Sequence, residues 1–132
     1  MNGPVRVFVV EDSPLIRRRI IDDIIAMGRF DVVGFAESQD DAIESITTLH
    51  PDVVVTDLRL KAGSGIEVVK QVRASGSATL PRIFVLTNYA SPEYKQKCLL
   101  SGADDFFDKS KSRLTQGLSR NPPRSKPHSD DV

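Results

Sequence analysis

Short apolar runs alternate with segments of helical period along most of this chain, and that alternation limits the folds open to it. Val5–Val10, Phe30–Phe35, Val53–Asp57, Ile83–Thr87 and Asp104–Phe107 read as strands, since brief apolar runs bounded by turn residues suit buried strands. Between them, about Ser13–Met27, Ser38–Leu49, Gly65–Ala74 and Pro92–Ser101 read as helices. Strict strand–helix alternation over short links predicts parallel strands with helical crossovers. The expected fold class is therefore α/β, a doubly wound five-stranded parallel sheet with helices on both faces.

Local punctuation supports these elements. Ser13-Pro14 and Ser91-Pro92 are N-cap and first-turn pairs, while Gly28 and Gly102 stand where helices should stop. On the first helix Ile16, Ile20, Ile24 and Met27 form one apolar stripe, which leaves Arg17, Arg18 and Asp22 towards water. The triplet Arg17-Arg18-Arg19 is expected to be a solvated face.

The ends of the strands carry the chemistry. Glu11 and Asp12 follow the first run, Asp57 ends the third, Thr87 ends the fourth, and Lys109 stands just past the fifth. In open α/β sheets ligands bind beyond the carboxyl ends of the strands, so these groups should converge. Three carboxylates around a divalent cation, with a threonine and a lysine to hold an anion, suit phosphoryl transfer to an aspartate. An aspartate at one strand end is usually a cap or turn former. With Asp12 and Lys109 in register, that account of Asp57 becomes the minor one. Asp104, Asp105 and Asp108 are read as solvated charges, His50 and His128 as surface residues, and Cys98 as a core hydrophobe.

Composition bounds the rest. The 132 residues, 39% hydrophobic and 27% charged, fit one globular core. Ser119–Val132 is Ser/Pro/basic without a large apolar residue before the terminal valine, so residues 1–118 are expected to be the domain and 119–132 a disordered tail. A net charge of +0 gives no long-range reason to expect nucleic acid or an anionic membrane as partner. A single cysteine excludes an internal disulfide framework, and no apolar stretch is long enough to span a membrane, so a cytoplasmic location is the default.

Val-Val-Glu-Asp-Ser near the N-terminus, the Pro51–Leu58 run around Asp57, Val85-Leu86-Thr87 and the Gly102–Lys109 run together resemble the receiver domain of bacterial two-component response regulators. The likeness covers roughly residues 5–118. It implies the flavodoxin-like strand order 2-1-3-4-5. With no effector domain in view, the chain looks like a stand-alone regulator of the chemotaxis type, without DNA-binding output. The resemblance implies Mg²⁺ as cofactor, with Asp12, Asp57 and the backbone carbonyl of Arg59 as ligands and Glu11 acting through water. It implies Asp57 as phosphoacceptor, Lys109 and Thr87 as partners of the phosphoryl oxygens, and Thr87 with Phe106 as the switch pair. Partners would be a sensor histidine kinase or histidine phosphotransfer protein and a downstream protein target, with neither nucleic acid nor membrane. The chain would be a phosphoacceptor switch, not an enzyme acting on a separate substrate. The alternatives are a phosphate sink or phosphorelay intermediate, or a receiver-like binding module that never carries phosphate.

Four departures from the family pattern alter expectations. Lys61 stands where proline is usual, so the loop after Asp57 should be freer. Asn88 replaces a small residue after Thr87, Ser110 replaces proline after Lys109, and Gly117 with Pro122-Pro123 should make the last helix short.

Overall fold

The computed structural model describes residues 3–75, 80–88, 90–109 and 117–118. In chain order they form β1 (Val5–Val10), α1 (Pro14–Ala26), β2 (Phe30–Ala36), α2 (Gln39–Leu49), β3 (Val53–Thr56), α3 (Gly65–Arg73), β4 (Arg82–Thr87), α4 (Pro92–Ser101) and β5 (Asp105–Asp108). The strands make one five-stranded sheet in the order β2-β1-β3-β4-β5. Every neighbouring pair is parallel, and Val33 is an extra residue where β2 slips against Val7 and Phe8 of β1. The expected fold class and strand order both hold.

Period-2 alternation divides the sheet's side chains between two cores. Val7, Val9, Val53, Val55, Phe84 and Leu86 pack with Ile20 and Ile24 of α1. Phe8, Val10, Val54, Ile83, Val85 and Phe106 pack on the other face with residues of α2, α3 and α4. Cys98 is fully buried there, as expected of a small hydrophobe. Leu118 is 1% exposed and belongs to the α1-side core, so the folded unit reaches that residue. The tail expected over 119–132, His128 and the body of the last helix lie outside the described residues.

The helix starts follow the local signals. Ser13 Oγ accepts from the Ile16 amide at 3.4 Å and Ser91 Oγ from the Tyr94 amide at 3.2 Å. Ser38 and Ser64 cap α2 and α3 in the same way. Gly102 ends α4 at φ 118°, and exposed His50 ends α2 in the left-handed region at φ 49°.

Two surface readings are corrected. Arg18 and Asp22 are exposed, but the Arg17 side chain is only 12% exposed and turns towards the site. Asp104 is not a free solvated charge. It accepts from Arg73 Nη2 at 2.8 Å, Arg82 Nη1 at 3.1 Å and the Ile83 amide at 2.8 Å, tying α3, β4 and the turn before β5 together.

Candidate functional site

Asp57 stands one residue beyond β3, its amide donating to the Val10 carbonyl at 2.9 Å. That bond extends the β1–β3 register and sets Asp57 beside the Glu11-Asp12 turn. The Leu58 amide donates to Asp57 Oδ1 at 2.7 Å, fixing the carboxylate, and the Thr56 hydroxyl donates to the Asp57 carbonyl at 3.0 Å. Gly65, the first residue of α3, lies so close that a Cβ there would fall 1.8 Å from the Asp57 carbonyl oxygen. Nothing in the local pattern separates this glycine from its neighbours in the loop; its necessity comes from the approach of α3 to the end of β3.

Lys109 directly follows β5, and its amide donates to the Thr87 carbonyl at 2.9 Å. Its ammonium lies 2.8 Å from Asp57 Oδ2 and 2.6 Å from Glu11 Oε1. The Asp57 contact is a hydrogen bond, whereas Glu11 Oε1 has no well-aligned donor, so the Glu11 contact is ionic. The other Glu11 oxygen accepts from the Ser13 amide at 3.1 Å.

Burial is the main force raising the Glu11 carboxyl above its ordinary value, with the Asp57 charge adding to it and the Lys109 and Ser13 contacts opposing. For Lys109, burial would lower the ammonium, but contacts with Asp57 and Glu11 outweigh it and raise the net value. The lysine is therefore charged at neutral pH.

Glu11, Asp12 and Asp57 each place one carboxylate oxygen within a group spanning at most 4.8 Å. Three carboxylates face one ammonium, and buried Glu11 Oε1 lacks an aligned donor. An all-oxygen, net-negative donor set fits a hard divalent cation such as Mg²⁺. Arg59 lies in the loop just after Asp57, exposed and bridged to Ser64.

Thr87 is fully buried at the end of β4. By strand alternation its side chain lies on the same sheet face as Ile83 and Val85. Phe106, paired with Val85 in register and 8% exposed, packs in that same core. The expected switch residues thus share one face, with the Phe106 ring turned inward.

The loop carrying Lys61 is not the free segment its sequence implied. Lys61 Nζ reaches Glu37 Oε1 at 3.1 Å, the Gln39 amide donates to the Ala62 carbonyl at 2.9 Å, and Gln39 Oε1 accepts from the Ser64 amide at 3.1 Å. Glu37, Gln39 and Arg17 are site neighbours that sequence reasoning missed, because their partners lie on segments distant in the chain. A cavity of about 270 Å³ between α2 and α3, lined by Ile46, His50, Val72 and Pro81, lies at the opposite end of the sheet.

An acidic pocket closed by a lysine, at the carboxyl edge of a 2-1-3-4-5 parallel sheet, defines a phosphoacceptor receiver. The chain belongs to the response regulator receiver domain family, whose model matches residues 7–118. It is 36% identical over 107 residues to the DNA-binding transcriptional activator DevR/DosR of Mycobacterium tuberculosis, covering 80% of this chain and 48% of that one. It is 30% identical over 105 residues to a protein-glutamate methylesterase/protein-glutamine glutaminase of Clostridium acetobutylicum, covering 80% of this chain and 30% of the relative. Among solved structures, the signal receiver domain of the response regulator NarL from Mycobacterium tuberculosis superposes with a TM-score of 0.81 at 29% identity, over 90% of this chain and 97% of that one.

Receiver domains act as phosphoacceptor switches and bind Mg²⁺ through acidic residues. The chain spans half or less of the curated relatives it matches here. Two expectations change accordingly. The exclusion of nucleic acid is overturned by a relative that is itself a DNA-binding activator. The charge balance of a receiver carries no information about what the rest of such a protein binds. The stand-alone type gives way to the coarser statement that this is a receiver, since relatives continue well beyond the matched part. No helix among the described residues is long and apolar enough to cross a membrane.

Proposed function

We propose that Asp57 accepts a phosphoryl group from a phosphohistidine, on a sensor histidine kinase or histidine phosphotransfer protein, in a Mg²⁺-dependent reaction that switches the domain's contacts. The observation that supports this most is the meeting of Asp57, Glu11, Asp12 and Lys109 at one sheet edge. An Asp57 oxygen attacks phosphorus, the P–N bond to the donor imidazole breaks, and the electron pair stays on the departing nitrogen. The Leu58 amide holds one Asp57 oxygen and so fixes the direction of the other. Lys109 then shifts its charge to a phosphoryl oxygen, and the Thr87 hydroxyl donates to another. Asp12, Asp57 and the Arg59 carbonyl would hold Mg²⁺ directly, with Glu11 through water. The ion's contribution is to offset repulsion between carboxylate and phosphoryl charge.

Readout runs through Thr87 and Phe106. The Phe106 ring already packs inward here, so movement of Thr87 towards the phosphoryl group would hold that packing against an outward one, a population shift rather than a new fold. The surface that changes is α4 and β5, including Tyr94 and Lys95. Kinship with a DNA-binding activator makes transcriptional control one output to which such a switch is coupled. The proposed compartment is the cytoplasm, on family membership.

Intact mass after incubation with acetyl phosphate tests the reading. A Mg²⁺-dependent phosphoryl adduct is expected for the wild type and not for Asp57→Asn. Equal labelling of the two would remove Asp57 from its role. No adduct in the wild type, with a kinase donor as well, would favour the binding module.

A further inference from the structure

Arg17 lies against the base of the acidic turn. Its Nη1 donates to the Glu11 carbonyl at 3.0 Å and to Glu37 Oε2 at 2.9 Å. Its guanidinium carbon stands 4.0 Å from the centroid of the Phe35 ring. The second Glu37 oxygen takes Lys61, in the loop that leaves Asp57. Two residues on, Gln39 binds that loop at Ala62 and Ser64. The segment after β2 is thus a bracket: Arg17 joins it to the wall bearing Glu11 and Asp12, and Lys61 joins it to the wall bearing Asp57.

We propose that Arg17, Glu37 and Lys61 form a positioning chain that sets the spacing between the Glu11-Asp12 carboxylates and Asp57, and through it the affinity of the site for a divalent cation. The inference rests on the Mg²⁺ reading of the site. None of the three residues touches the reacting atoms. Exposed ion pairs alone contribute little to stability. Arg17, however, is held by a backbone carbonyl, a carboxylate and an aromatic face together, which locks its position. Residues that orient metal ligands typically change metal affinity by roughly 10- to 100-fold when removed.

The sign of the effect separates positioning from charge. Arg17 and Lys61 are cations near a cation site, so by Coulomb repulsion alone their removal should tighten Mg²⁺ binding. Positioning requires the reverse.

The test is a calorimetric titration of the full chain with Mg²⁺ at fixed ionic strength, for wild type, Arg17→Ala, Arg17→Gln and Lys61→Ala, with thermal unfolding alongside. Arg17→Ala should bind more weakly by about 10-fold, and Lys61→Ala more weakly by a smaller factor. Arg17→Gln, neutral and too short to reach the Glu11 carbonyl as Arg17 Nη1 does, should bind more weakly as well. Equal or tighter binding in folded alanine variants overturns the proposal. Should Arg17→Ala not fold, Lys61→Ala decides by the same sign. A wild type that binds no Mg²⁺ overturns the metal reading and this inference with it, whereas wild-type binding that the variants leave unchanged overturns the inference alone.

Discussion

Lys109 Nζ donates to Asp57 Oδ2 at 2.8 Å across 52 residues of chain, although β3 and β5 are not neighbours in the sheet. β4 lies between them, and the lysine side chain passes over its end at Thr87. The amide of Lys109 is bonded to the Thr87 carbonyl, so the reach is built into the β4–β5 register. One ammonium thereby serves carboxylates from β1 and β3 together.

Replacing that lysine should expose the cost of the acidic cluster. Lys109→Ala leaves Glu11 and Asp57 facing each other without a cation, and should lower stability by about 1–3 kcal/mol. Added Mg²⁺ should return part of this, since a ligand of the folded state stabilises by mass action. Urea unfolding with and without Mg²⁺ measures both. Labelling from acetyl phosphate should persist while the response is lost. A variant as stable as wild type, still signalling normally, would contradict this role.

Gly65 should be intolerant of any side chain. A Cβ at that position would meet the Asp57 carbonyl oxygen, which is backbone and cannot step aside cheaply. Gly65→Ala should cost about 1–3 kcal/mol through overpacking and slow phosphoryl uptake by displacing Asp57. Thermal unfolding and mass-spectrometric labelling check the two parts. Wild-type values in both would show that the contact is relaxed in solution.

The Glu37 carboxyl is held below its ordinary value of 4.5 by hydrogen bonds from Arg17 and Lys61. A depressed carboxyl contributes stability that is present above its unfolded value and is lost as pH falls through its folded value. Wild type should therefore lose stability faster than Glu37→Gln on acidification from about pH 5 downward. Chemical denaturation at a series of acidic pH values reads this. Parallel curves would mean that the two ion pairs contribute nothing measurable.

Thr87→Val keeps the β-branched shape but removes the hydroxyl. The variant should remain folded and take up phosphoryl more slowly, by about 10²-fold if the lost donor acts in the transition state. In wild type, phosphorylation should shift the Phe106 ring signals in an NMR spectrum, and in Thr87→Val that shift should shrink. A full Phe106 response in the variant would uncouple the two residues.

Much of this was legible because the signals are local. The apolar runs, the Ser13-Pro14 and Ser91-Pro92 starts and Gly102 at the end of α4 depend on neighbours within one turn. The group at each strand end followed from the same patterns, with Lys109 set directly after β5. Arg17 was misjudged because helical periodicity separates the apolar stripe from the rest of a helix. It does not say whether a residue beside that stripe meets water or an adjoining strand. Asp104 was misjudged for a like reason, its partners Arg73 and Arg82 lying on other elements.

The amino-acid order by itself determined the alternation of strands and helices and which polar groups stand at the strand ends, because period and capping act over a few residues. The tertiary structure alone decided that Lys109 bridges Asp57 and Glu11, that Gly65 admits no side chain, and that Glu37 brackets the two walls of the pocket. Those are distances between segments far apart in the chain, set by how the strands register and how closely the helices pack upon them.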